Sequence, residues 1–134
     1  MEAALVRQVW LRARRCCEYC QICQDYDDTP FEIDHIISRK HRGPTVAANL
    51  ALSCFHCNSF KGSDIGGRDK QTRKLTPLFN PRRHKWQKHF RWQGAYLIGS
   101  TPVGRVTIAL LNINHRFRVE LREGLIEEGL FPPA

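Results

Sequence analysis

FEIDHIIS, residues 31–38, is the stretch on which the reading of this fold turns. Its aromatic and β-branched residues mark a short strand. Yet an acid and an imidazole, Asp34 and His35, stand side by side where Val or Thr would ordinarily sit. An unpaired carboxylate in such a place costs several kcal/mol or changes its protonation. Strand alternation sends Phe31, Ile33, His35 and Ile37 to one face and Glu32, Asp34 and Ile36 to the other.

Cysteines flank this strand on both sides. CCEYCQIC (16–23) holds Cys17-x2-Cys20 and, overlapping it, Cys20-x2-Cys23, while SCFHC (53–57) holds Cys54-x2-Cys57. Two such knuckles in a chain without a signal-peptide core argue for a tetrahedral zinc site rather than a disulfide framework. The spacing alone leaves Cys17 and Cys23 as rivals for one ligand position. Cys20 and Cys54 are separated by 33 residues, more than the roughly 15–20 of a simple zinc ribbon, so a folded insert lies between them. That insert carries Asp34, His35 and Asn49, and Asn58 directly follows Cys57. Zinc would supply folding energy that so small a core lacks.

The chain has 134 residues, 42% of them hydrophobic, with a net charge of +8. That length and composition suit one folded domain and exclude a disordered chain. No apolar run approaches the roughly 18–20 residues of a membrane helix, and the cytoplasm is the expected compartment. The charge favours a polyanionic partner. Between positions 68 and 91 there are nine Lys or Arg residues against the single acid Asp69, interleaved with Phe79, Trp86 and Phe90. This is the pattern of a folded phosphate-binding surface.

Along the chain, spacing predicts an amphipathic helix over 3–15, strands at 31–36 and LALSC (50–54), and a helix from Phe55 stopping near Gly62. Residues 63–76 read as a polar mobile loop. PLFNPRRHKWQKHFRW (77–92) begins with a turn and continues as strand or helix. GAYLIGSTPVG (94–104) suggests a strand and a turn, and helices are expected over 105–113 and 115–128, with Gly129 as the stop.

CEYC, FEIDHIISRKHRG and NLALSCFHCNSFKG together resemble the HNH (His-Asn-His, or His-Me finger) endonuclease family over about residues 14–62. The likeness continues into LFNPR, W..HF and G.T..GR.T...L..N, an extension at about 76–130. It implies one α+β domain over 1–134. A small ββα-metal core with structural zinc would be joined to an N-terminal helix and a C-terminal strand and helix extension. It also resolves the cysteines in favour of Cys17, Cys20, Cys54 and Cys57, leaving Cys16 and Cys23 as small, partly buried spare thiols. By the same resemblance His35 is the general base and Asn49 braces its loop. Asp34 and Asn58 hold a catalytic divalent cation, Mg²⁺ or another hard ion. The implied reaction hydrolyses DNA phosphodiester bonds, with RNA open as a substrate and a partner protein as a possible source of specificity. The competing reading is a catalytically silent, zinc-stabilised module that binds nucleic acid.

Around this set, Lys61, Arg39, Lys40 and His41 are candidates for substrate phosphate contacts. His56 reads as a surface or supporting residue, and His89, with Trp86 and Phe90, as packing or DNA contact. One conflict remains in the opening stretch. Alternation separates Asp34 from His35, so the chemistry requires regular strand geometry to end or bend at that pair.

Overall fold

The computed structural model describes all of residues 1–134. Its centre is a hairpin of β1 (Glu32–His35) and β2 (Leu50–Ser53), antiparallel, with Asp34 opposite Ala51 and His35 opposite Leu50. Both strands are short, and two strands alone are marginal in water, so the hairpin depends on what covers it. One cover is α2 (Phe55–Lys61), which starts immediately after β2. Cys54 caps it, its Sγ accepting from the Cys57 N–H. The other cover is α1 (Ala3–Arg12), whose Arg12 donates to Leu50 O at 2.6 Å and Ala47 O at 3.0 Å. The result is a ββα unit with a helix in front of it.

Two further hairpins follow, β3 (Gly66–Arg68) with β4 (Leu75–Pro77), and β5 (Phe90–Gln93) with β6 (Tyr96–Gly99). A single helical turn, α3 (Trp86–His89), leads into β5. The chain closes with α4 (Pro102–Leu110) and α5 (Arg116–Glu127). Thr101 caps α4 by accepting from Gly104 N–H, which sets its start at Pro102 rather than near residue 105. One cluster of buried apolar side chains extends from Val9 through the first and third hairpins to Phe131. The architecture is α+β, and no helix is long and apolar enough to cross a membrane.

Two expectations change. Residues 63–76, expected as a mobile polar loop, contain most of the β3–β4 hairpin. Glycine eases it: a Cβ on Gly67 would lie 2.9 Å from Leu110 Cδ1, the tip of a flexible side chain, so the bare backbone packs closely on α4 without displacing that leucine. Residues 77–92 hold both the alternatives left open, a helical turn and then a strand.

Candidate metal centre and active site

The sulfurs of Cys17, Cys20, Cys54 and Cys57 all lie within 4.8 Å of one another, and all four residues are buried. Each knuckle turns on its own N–H···S bond, from Cys20 N to Cys17 Sγ at 3.5 Å and from Cys57 N to Cys54 Sγ at 3.3 Å. Hydrogen bonds from the neighbouring sulfurs hold Cys20 well below the usual thiol range, and the same proximity pushes Cys54 and Cys57 up. Four sulfurs this close cannot all ionise without a cation among them. A donor set of four buried sulfurs, with no oxygen or nitrogen, fits tetrahedral zinc. Burial opposes the charge of Arg118 on α5, but the sulfurs of Cys20 and Cys54 and the Asp27 carboxylate outweigh it and raise its pKa. The C-terminal helix thus lends positive charge to the cluster.

Cys16 and Cys23 are not spare thiols; they are joined as a disulfide. The cause is the knuckle itself. Cys17 N bonds Ile22 O at 2.8 Å and Gln24 N bonds Arg15 O at 2.9 Å, so residues 16 and 23 face each other as an antiparallel bridge. This also removes Cys23 as a rival zinc ligand.

Regular pairing in β1 stops at His35. Beyond it, Asn49 takes over the ladder: its backbone O accepts from Ile36 N at 2.8 Å and its Oδ1 from Ile37 N at 2.9 Å. Its Nδ2 donates to Ile37 O at 3.0 Å and Pro44 O at 2.9 Å. This buried amide therefore ties together both ends of the loop that leaves His35. Gly43 lies under that amide, and a Cβ there would sit 1.7 Å from Ile37 O. The half-buried His35 ring places Nε2 2.9 Å from Thr45 Oγ1. The tautomer in which Nε2–H donates to Thr45 leaves the Nδ1 lone pair free to accept a proton.

Asp34 goes elsewhere. It is 5% exposed, its Oδ2 accepting from Tyr19 Oη at 2.7 Å and its Oδ1 from Lys61 Nζ at 3.1 Å. Burial raises its pKa, and Lys61 and Tyr19 hold that rise in check. Asp34 and His35 are both paired within β1 and meet different partners, so the strand keeps its alternation through the pair and its end after His35 does not bring the two side chains together as expected. Lys61, expected at a substrate phosphate, is corrected by its burial: at 1% exposure it serves Asp34 and His35 O, each at 3.1 Å. Lys61 itself points inward from the end of α2, where a lone ammonium would be untenable without these acceptors. Asn58, one turn earlier, donates from Nδ2 to Glu32 Oε2 at 2.6 Å. Glu32 and Asp34 share a face of β1, and both carboxylates meet α2, at Asn58 and Lys61 respectively.

Arg39, Lys40 and His41 lie on an exposed 3₁₀ turn directly after the β1 exit. His56 joins Asn112 O at 2.8 Å, outside the sulfur cluster. His89 is buried, with Nδ1 2.6 Å from Thr101 Oγ1, and Trp86 Nε1 donates to Tyr19 O at 3.0 Å; both are packing residues. Sequence reasoning missed Tyr19, Thr45 and Glu32. Tyr19 alone carried a signal, as a large aromatic inside a knuckle; Thr45 and Glu32 are ordinary surface types.

The sequence model of the HNH endonuclease family matches residues 17–64, from the first cluster cysteine to just beyond α2. No curated protein and no solved structure matches the chain. The matched segment supports a nuclease-type function and implies a nucleic-acid substrate.

Proposed function

We propose that the protein is an HNH endonuclease that hydrolyses DNA phosphodiester bonds. One observation carries the reading: His35 stands at the terminus of β1, with its exit loop tied by Asn49 and one ring nitrogen held by Thr45. An imidazole suits a general base because its ordinary pKa of about 6.5 lies near working pH. In this reading Nδ1 takes a proton from water as the water oxygen attacks phosphorus and the bond to the 3′ oxygen breaks. The departing 3′ oxygen takes its proton from solvent water, so the products are a 5′-phosphate and a 3′-hydroxyl. Asn49 positions the base through the loop, and the exposed turn of Arg39, Lys40 and His41 follows it along the chain, within reach of neighbouring phosphates.

The oxygen donors Asp34 and Asn58 fit a hard divalent ion such as Mg²⁺. When bound there it would neutralise charge on the scissile phosphate and the leaving oxygen. Asp34 can serve it only by releasing Lys61 from Oδ1, since one buried carboxylate cannot hold both cations at full strength.

That same contact favours the second reading, a silent zinc-stabilised module that binds nucleic acid, in which Asp34 only holds the hairpin and α2 together. A plasmid-nicking assay with and without Mg²⁺ separates the two. Wild type is expected to nick only with the divalent ion, and His35→Ala to lose at least about a hundredfold of that activity with zinc content unchanged. Full activity in zinc-loaded His35→Ala would remove His35 as the base. Salt-sensitive DNA binding without cleavage under any divalent ion would establish the binding module.

A further inference from the structure

The β3–β4 ribbon has features that packing does not explain. Its only acid, Asp69, is 1% exposed and fully engaged. Oδ1 accepts from Arg105 Nε and Oδ2 from Arg105 Nη2, each at 3.0 Å, and Oδ2 also accepts from Thr72 N at 2.9 Å. This bidentate pair fastens the ribbon tip to α4. Every other charge of the tip points outward: Arg68, Lys70, Arg73 and Lys74 are all exposed. Beside them Leu75 is 87% exposed, more than any other large apolar side chain in the chain. A cavity of about 630 Å³ opens between ribbon and α4, bordered by Arg68, Lys70, Arg73, Arg105 and Val106.

A rigid two-stranded ribbon with unopposed cations, an exposed aliphatic side chain and a groove of nucleotide size suits one class of ligand. Phosphates take up the cations, and an apolar side chain rests against sugar or base edges. We propose that the ribbon is a phosphodiester-binding subsite separate from the His35 site. In it Lys70 and Arg73, helped by Arg68, grip a DNA backbone, and Leu75 packs against the sugars beside it. The choice of DNA as ligand rests on the endonuclease reading above.

The test measures binding of a labelled DNA duplex by fluorescence anisotropy across a salt series. His35→Ala is the common background, so that the DNA stays intact. Adding Lys70→Gln with Arg73→Gln should flatten the slope of log affinity against log salt by about 1.8, or about 0.9 per lost phosphate contact. Affinity at 0.1 M salt should fall at least about tenfold. Arg7→Gln with Arg14→Gln removes the same charge from exposed positions near the N-terminus and should leave the slope nearly unchanged. Leu75→Ser should weaken binding several-fold with an unaltered slope. Equal slopes in the ribbon and N-terminal pairs, or a parent protein that does not bind DNA, would overturn the subsite. An unaffected Leu75→Ser would remove the apolar contact from it. A slope change in a chain that never nicks DNA would sink the endonuclease reading while the ribbon stands.

Discussion

Tyr19 Oη donates a 2.7 Å hydrogen bond to Asp34 Oδ2, joining the first cysteine knuckle to the end of β1. Lys61, four residues beyond Cys57, reaches the other oxygen of the same carboxylate and His35 O. Each half of the sulfur cluster thus sends one side chain to the strand that carries His35. Tyr19→Phe removes one donor from a buried acceptor and should cost about 1–3 kcal/mol with zinc content preserved. Lys61→Met strands the carboxylate and should cost about 3–5 kcal/mol, most of it recovered when Asp34→Asn is added. Urea denaturation of the set checks both; additive losses in the Lys61→Met/Asp34→Asn pair would show that the two residues do not interact.

The sulfur geometry separates ligands from disulfide. Cys17→Ser should abolish stoichiometric zinc and cooperative unfolding together, because the metal's binding energy is folding energy. Cys16→Ser with Cys23→Ser should keep one zinc per chain and lose only about 2 kcal/mol, the closure entropy of a short loop. Metal analysis beside thermal melts reads both. Lost zinc in the Cys16/Cys23 variant would return Cys23 to the ligand set.

The loop leaving His35 depends on a single amide. Asn49→Asp sets a carboxylate against Ile37 O and Pro44 O, where two N–H donors stood. It should cost about 2–4 kcal/mol through unsatisfied and repelled buried groups. Gly43→Ala should be equally damaging, since its Cβ would collide with Ile37 O. Loss of nicking with zinc retained is the expected signature, and wild-type stability in either variant would contradict the tie.

Asp69 should contribute to acid stability. Its hydrogen bonds from Arg105, together with those from Thr72, depress the carboxyl against a smaller opposing effect of burial. A depressed folded pKa gives stability present above the ordinary carboxylate value and lost as pH falls below about 4 toward the folded value. Asp34 has the opposite sign: its raised pKa makes stability decline as pH climbs from the ordinary value toward the raised one. Melting temperatures from pH 2.5 to 6 should therefore fall less steeply on acidification in Asp69→Asn than in wild type. Parallel curves would show that Asp69 titrates alike in the folded and unfolded chain.

The hairpin, the helix after Cys54 and the sulfur cluster were legible in the residues because each rests on local chemistry. Alternation makes β1, cysteine spacing makes the knuckles, and Gly62 stops α2. The order and spacing of His35, Asn49 and Asn58 likewise need no third dimension to be noticed. What tertiary structure decided is where charges find partners. Nothing in the spelling of residues 31–38 tells that Asp34 meets Tyr19 and Lys61 while His35 meets Thr45. Nor does it tell that the Cys17–Ile22 turn brings Cys16 onto Cys23. Burial leaves a charged group few acceptable neighbours, and those neighbours come from distant parts of the chain. The ribbon at 66–77 shows the same division: its composition reads as a loop, and it becomes a strand pair because α4 offers Arg105 to Asp69 and a surface against which the bare backbone of Gly67 packs closely.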